Sequence, residues 1–384
     1  MEQNMAKQGV KKFSLKDDLF NDNKVSKIAF EIQNVYPSFN TEAFKKDVLV
    51  DFPKLELKER IYHIRTMLKK HLPEEYVDAV NILLNALPSE LDPNKNDDDF
   101  GDFIYAPYAD YISAYGCTAE YLEFSLYALR ELTKRFSVEF AIRDFINDFP
   151  HRTLEMLKEC TVSKNYHERR LVSEGLRPKL PWGKKLTLDY KVSISYLDRL
   201  FYDDTRYVTR SVANHLNDIA KIDPSLVIST LKRWQNSTKQ NPKEMDYITS
   251  HALRTLIKKG DEKAFALLGY VKYPSIVVND LCVYSKIVNV GESLIFNLEI
   301  EAKEETKLII DYIIHFRTKL GTLNPKIHKL KRVKLMKGDK VTFYKKHRFK
   351  ADMSTRNFYE GEHRVEVQIN GMVYRSENFI LRYQ

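Results

Sequence analysis

Cysteine is scarce in this chain of 384 residues. Cys117, Cys160 and Cys282 stand far apart, and no CxxC or Cys/His pair has zinc spacing, so neither a disulfide framework nor a structural metal is indicated. A reducing compartment fits that usage. Glycine (12) and proline (13) are also few against 43% hydrophobic residues, which speaks against a disordered chain and leaves ample material for buried cores. Long apolar runs are missing as well. Nothing approaches the ~18 apolar residues of a membrane span, and the most apolar stretch, Leu308 to Phe316, is interrupted by Asp311. The opening MEQNMAKQGVKK has no apolar segment of the kind a secretory signal needs. The expectation is a cytoplasmic protein that binds no membrane.

Acidic residues are outnumbered, 53 to 62, giving a net charge of +9 and a pI of about 9.0. Such a balance favours a polyanionic partner. The length implies two or three domains, and two textures are visible. Up to about residue 271 apolar residues recur at helical spacing. Leu57–Leu72, Tyr76–Leu87, Thr118–Arg135, Val138–Asn147 and Tyr207–Lys221 are predicted to be amphipathic helices. An acidic loop, NKNDDDFGD, falls around residues 94–102.

The helices also repeat. Tyr166 opens YHERRLVSEG, Tyr207 opens YVTRSVANHL and Tyr247 opens YITSHALRTL, at spacings of 41 and 40 residues. NDFP (147–150) and KIDP (221–224) occupy related turns. Paired helices at that period predict an all-α solenoid of HEAT-like repeats over residues 1–271. From residue 272 the period becomes two. Ile276–Tyr284, Ser293–Ala302, Lys307–Phe316, Lys340–Phe349, Glu362–Asn370 and Met372–Leu381 are predicted strands, the last two flanking a type I′ Asn370-Gly371 turn. An all-β immunoglobulin-like sandwich over residues 272–384 is expected, though without the Cys…Trp…Cys of antibody domains.

Three segments could carry chemistry. In the helix opened by Tyr207, Val208, Val212, Leu216 and Ile219 form the apolar face, while Arg210, Asn214, Asn217, Asp218 and Lys221 form the other. A solvated face is the plain explanation, yet Asn in mid-helix is poor for stability, so a ligand-binding surface explains both better. In HERRLVSEGLRPKLPWG (167–183), Arg170, Ser173, Glu174 and Arg177 share a face, with Gly175 as the residue ending the helix. An acid in a last turn is disfavoured by ~0.3–1 kcal/mol, and an Arg170–Glu174 pair recovers only a few tenths. Trp182 follows in a Pro-framed loop, where a buried anchor is the commoner fate. In TKRFSVEFAIRDF (133–145), Ser137 is a plausible N-cap, with Glu139 in the first turn and Arg143 placed to pair with it. Each segment thus offers an acid and an Arg: Glu139/Arg143, Arg170/Glu174 and Arg210/Asp218. A surface meant only for phosphates would be wholly basic. Acids among the arginines suggest that something positive must be stabilised there.

SVEFAIR, HERRLVSEGLRPKLPWG and the RSVANHLNDIAK helix, with FSLKDDLF and FGDFIYAPYADYISAYG, resemble the signature segments of the AlkC branch of the AlkC/AlkD alkylpurine DNA glycosylases. The resemblance spans about residues 13 to 265, and part of that branch carries a C-terminal immunoglobulin-like domain. It implies hydrolysis of the N-glycosidic bond of cationic N3-alkylated bases, 3-methyladenine and 3-methylcytosine, in duplex DNA, without flipping the base into a pocket. It places Glu139 and Glu174 beside the lesion's deoxyribose, with Phe140, Arg170 and Trp182 shaping the site and Asp218 in the third site helix. An alkylated base already carries positive charge and leaves neutral, so carboxylates need only stabilise an oxocarbenium-like sugar and orient water.

The expected site therefore holds Glu139, Glu174 and Asp218 as catalytic carboxylates. Phe140, Arg143, Arg169, Arg170, Arg177, Trp182, Arg210, Asn214 and Asn217 are expected to contact substrate or DNA. No cofactor and no metal is expected, the partner is duplex DNA with alkylated bases, and the chain acts as a monomer. Eleven Lys or Arg against Asp339 alone between Lys326 and Lys350 form either a second phosphate-binding surface or a solvated edge that discourages strand pairing. The rival reading is a non-enzymatic HEAT-like scaffold, for which the acids are dispensable.

Overall fold

The computed structural model describes residues 14–97, 100–351 and 356–383. The N-terminal MEQNMAKQGVKK, the first residue of FSLKDDLF, and Asp98 and Asp99 of the acidic loop lie outside the described residues. The chain falls into two compact units divided between Asp218 and Ile219.

The first unit is helical. It runs α1 (Leu15–Leu19), α2 (Asp22–Val35), α3 (Thr41–Leu49), α4 (Leu57–His71), α5 (Tyr76–Asn85) and α6 (Ala106–Gly116). Then follow α7 (Leu122–Thr133), α8 (Ile142–Asp148), α9 (Pro150–Cys160), α10 (Tyr166–Gly175), α11 (Ile194–Leu200) and α12 (Arg206–Ile219), which ends at the division. The starts obey local chemistry. A Glu56/Glu59 capping box opens α4, Asn165 accepts from the His167 N–H to open α10, and Pro150 sits at the first position of α9. α9 packs on α10 and α10 on α7 and α11, the neighbour-on-neighbour stacking of a repeat array.

The predicted Val138–Asn147 helix begins four residues late, at Ile142. Backbone pairing is the cause: Phe136 bridges Gly101 and the Ser137 N–H donates to Phe100 O at 3.1 Å, which holds the segment before Glu139 extended. Glu139 accordingly lies in a turn. Gly101 is needed there, since at φ +84° a Cβ would lie 1.9 Å from Arg135 O.

The second unit opens with α13 (Pro224–Ser237), α14 (Pro242–Ala252), α15 (Arg254–Lys258) and α16 (Glu262–Leu267). Strands follow: β1 (Ile276–Val278), β2 (Cys282–Val283), β3 (Ile287–Asn289), β4 (Ser293–Ala302), β5 (Thr306–Arg317), β6 (Leu323–Leu335), β7 (Lys340–Arg348), β8 (Gly361–Ile369) and β9 (Met372–Arg382). One sheet pairs β4 with β1, β2 and β7; the other runs β3-β9-β8-β5-β6. Between them the alternate residues Leu294, Phe296, Leu298 and Ile300 of β4 meet Leu308, Ile310, Tyr312 and Ile314 of β5. The predicted Ile276–Tyr284 strand is split into β1 and β2, and β3 and β6 were not predicted. Asn370 and Gly371 both take positive φ (44° and 81°), as a type I′ turn demands.

The outer face of β5 is covered too. Ile309, Asp311 and Ile313 are buried, Gly371 packs against Gly260 and Phe265, and Asn370 donates to Val271 O at 2.7 Å. Burial on both faces explains why β5 is apolar at successive positions on either side of Asp311, and it raises the Asp311 carboxyl to about 6. Among the described residues no helix is long and apolar enough to cross a membrane.

Candidate functional site

The site is built around the end of α10. Gly175 is not in the left-handed conformation expected of it; the cap is Leu176, at φ −84°. Glycine is required there by proximity, because a Cβ would come within 2.8 Å of Ile142 Cγ2 on α8. That closeness brings Arg143 of α8 under the helix end. Its guanidinium donates to Gly175 O and Arg177 O, each at 2.8 Å, and to Lys184 O at 2.5 Å. Arg143 is 1% exposed. Burial first, and Arg177 nearby, lower its pKa to about 10. Its partners are backbone carbonyls; it neither pairs with Glu139 nor reaches a surface that DNA could touch.

Upon this support stands a chain of alternating charges. Arg170 donates to Ser137 Oγ and, at 3.1 Å, to Glu139 Oε2. The Ser137 hydroxyl donates in turn to Glu139 Oε2. On its other side Arg170 lies 3.7 Å from Glu174 Oε2 and over the Tyr207 ring at 4.8 Å. Glu174 Oε1 accepts from Arg177 at 2.5 Å, and its Oε2 accepts from Ser211 at 2.6 Å. Arg177 Nε donates to Asp218 Oδ2 at 2.9 Å.

The three acids are thereby distinguished. Glu174 is 5% exposed and Asp218 2%. Burial pushes the Glu174 carboxyl up, but Arg170, Arg177 and Ser211 outweigh it and hold it below its ordinary value. Burial likewise opposes the charge of Arg170, and Glu139 and Glu174 overcome it. Glu139 is half-buried, and both of its hydrogen bonds fall on Oε2, so that Oε1 accepts none among the described residues. Beneath them His215 shares a 2.9 Å hydrogen bond between Nδ1 and Ser173 O, and burial lowers its pKa to about 4.

The cleft has a volume of about 800 Å³ including its open mouth, and is lined by Glu139, Phe140, Arg170, Glu174, Trp182, Arg210 and Asn214 of the expected residues. Phe100, Phe103, Phe136, Ser137, Tyr207 and Ser211 also line it, without any sequence signal for that role. Asn217 and Asp218 are buried, so this side of α12 is not the solvated face that charge alone would suggest. Arg210 reaches Asp97 at 2.7 Å instead of Asp218. Arg169 points elsewhere, donating to Asp203 at 2.6 Å and Ser163 O at 2.9 Å. Trp182, expected at the substrate or DNA surface, is not a buried anchor: it is 61% exposed at φ 66°, with its carbonyl accepting from Lys58 at 2.8 Å. The buried tryptophan is Trp234.

Residues 277–383 match the family model described as "Uncharacterised protein YhaZ, C-terminal Ig-like domain". The chain is 34% identical over 366 residues to YhaZ of Bacillus subtilis (strain 168), covering 94% of this chain and 98% of that one. It superposes with a TM-score of 0.86 and 31% identity on the Pseudomonas fluorescens alkylpurine DNA glycosylase AlkC bound to DNA containing an abasic site analog, covering 96% and 100% of the two chains. The chain belongs to the AlkC branch of the AlkC/AlkD family.

In this AlkC-type chain the signature segments converge. SVEFAIR supplies the extended stretch, the turn of Glu139 and Phe140, and the start of α8; HERRLVSEG is α10; LRPKLPWG carries Trp182 to the rim; and the RSVANHLNDI segment is most of α12. FGDFIYAPYADYISAYG contributes the Gly101 bridge and α6. Ser211 gives little signal in sequence, being a small polar residue on a buried helix side. Ser137, expected as a cap, instead joins Glu139 to Arg170.

Proposed function

We propose that this chain is a DNA repair glycosylase that hydrolyses the N-glycosidic bond of cationic N3-alkylated bases, 3-methyladenine and 3-methylcytosine, in duplex DNA. The observation that carries the reading is Glu139: a carboxylate fixed through Oε2 by Arg170 and Ser137, its Oε1 without a protein donor among the described residues, lining a cleft together with Phe140 and Trp182. The overall likeness to a DNA-bound alkylpurine DNA glycosylase supports it.

The C1′–N bond breaks with its electron pair going to the base, which departs neutral because it was already cationic. The sugar becomes oxocarbenium-like, and the anions of Glu139 and Glu174 stabilise it. Water held by Glu139 Oε1 attacks C1′ and gives up its proton through that carboxylate. Glu174 is saturated by two arginines and a serine, so it acts as a fixed anion. Asp218 is buried against Arg177 and is a positioning residue in this reading. Phe140 and Trp182 meet the lesion nucleotide while it stays outside any flipped-base pocket, and Arg210 and Asn214 meet the backbone. Residues up to 271 carry the chemistry, and the immunoglobulin-like domain adds phosphate contacts through β6 and β7. The enzyme works as a monomer in the cytoplasm. A base-release assay on methylated duplex DNA tests this: 3-methyladenine should be released, and its retention after prolonged incubation would refute the assignment.

A further inference from the structure

A second hollow in the first unit shares a wall with the cleft. Phe103, Phe136, Ser137, Phe140 and Trp182 border both. It encloses about 760 Å³ when the open solvent at its mouth is included. Its lining is mostly apolar and aromatic, Tyr62 and Ala106 belonging to it but not to the cleft, and its polar groups are few. Asp144 is occupied, accepting from Ser113 and from Lys184 at 2.5 Å. Asp110 is not: Arg65 binds its Oδ2 at 2.9 Å, while Oδ1 has no partner among the described residues. Burial raises the Asp110 carboxyl against the pull of Arg65, and the side chain keeps 26% of its surface exposed towards the chamber's solvent.

Flat aromatic walls and one unfilled carboxylate oxygen suit a planar heterocycle bearing an N–H donor. We propose that this chamber binds a free nucleobase with an exocyclic amino group, its amino hydrogen donated to Asp110 Oδ1. It rests on the glycosylase reading only for the source of the base, the leaving group of the reaction next door. Adenine and cytosine derivatives carry that amino group, whereas hypoxanthine and uracil present a carbonyl oxygen at the same position and can meet the carboxylate only by turning a ring N–H towards it. Product would thus accumulate beside the cleft and slow the next turnover.

Equilibrium dialysis of the full chain against 3-methyladenine, adenine and hypoxanthine tests the chamber without any reaction. Saturable binding of the first two is expected, with hypoxanthine about tenfold weaker. Ala106→Phe, which fills the chamber and lines no part of the cleft, should cost about tenfold in adenine affinity while base release continues. Asp110→Asn should erase the preference for adenine over hypoxanthine. Equal binding of the two bases by the wild-type chain, or none, would overturn the proposal even if Ala106→Phe fails to fold. Base release from DNA without binding of free base sinks this inference alone; binding without release sinks the proposed function alone.

Discussion

The charges of the cleft and those of the β6–β7 strip are assembled in opposite ways. In the cleft, Glu139, Arg170, Glu174, Arg177 and Asp218 alternate in sign, three acids to two arginines, and are largely withdrawn from water. Along β6 and β7, Lys326, Lys329, Lys331, Arg332, Lys340, Lys346 and Arg348 are exposed on edge strands, with acids few: Glu305 meets Lys334 and Glu301 meets Lys340. Buried alternating charge resists salt and punishes the removal of either partner. Exposed charge of one sign attracts a polyanion from a distance and fades with ionic strength. The first arrangement suits chemistry on a single sugar; the second suits grip without sequence preference.

Breaking the buried chain should have the largest effect. Glu174→Gln leaves Arg170 and Arg177 short of an anion, and a stability loss of about 3–5 kcal/mol is expected in urea denaturation, together with abolished base release. A variant as stable as wild type would show that the paired charges are not held as described. Arg143→Met should cost about 2–3 kcal/mol by orphaning carbonyls at the end of α10, and should weaken catalysis only through that disorder.

The exposed strip should answer differently. Replacing Lys329, Lys331 and Lys346 together by Gln should leave the melting temperature within about 1 °C, as surface changes usually do. The slope of log K for DNA against log salt should flatten by ~0.9 for each phosphate that is no longer neutralised. An unchanged slope would assign the lysines to guarding the edges alone.

Acid separates the regions least. His215 has a folded pKa of about 4 against an ordinary 6.5, so the stability tied to its neutral form is complete above pH 6.5 and vanishes as pH falls towards 4. In the sandwich, His328 and His347 are lowered to about 4 by burial and their cationic neighbours, and carry the same sign. Glu174, lowered from 4.5, gives way only below that value. Melting temperature should therefore decline from pH 6.5 to 4 in both units; a flat profile across that range would contradict the buried, neutral imidazoles.

The legible parts of the fold are those where one physical rule dominates. β4 alternates strictly and matches its expected bounds to the residue; α4 follows a clean helical stripe and ends within a residue of its expected bound. β6 is invisible in sequence because lysines and Pro325 mask its alternation, and an edge strand needs little apolar signal. The late start of α8 depends on backbone pairing with residues some 35 positions earlier, which no local pattern reveals. In the site, the i,i+4 rule finds Arg170 with Glu174, but Glu139 and Asp218 take partners from other segments. Spacing along a helix shows which charges share a face; packing decides which of them meet.

The most direct measurement is a time course of base release from matched duplexes containing 3-methyladenine, 3-methylcytosine, hypoxanthine or uracil, run with the wild-type chain and with Glu139→Gln. The wild type should release the two cationic bases and leave the neutral ones. Glu139→Gln, half-buried and relieved of no buried ion pair beyond Arg170, should fold normally by circular dichroism and release them about 10²–10³-fold more slowly. Near wild-type release by folded Glu139→Gln, or uracil release at a rate comparable to that of the cationic bases, would contradict a carboxylate acting on a developing cation.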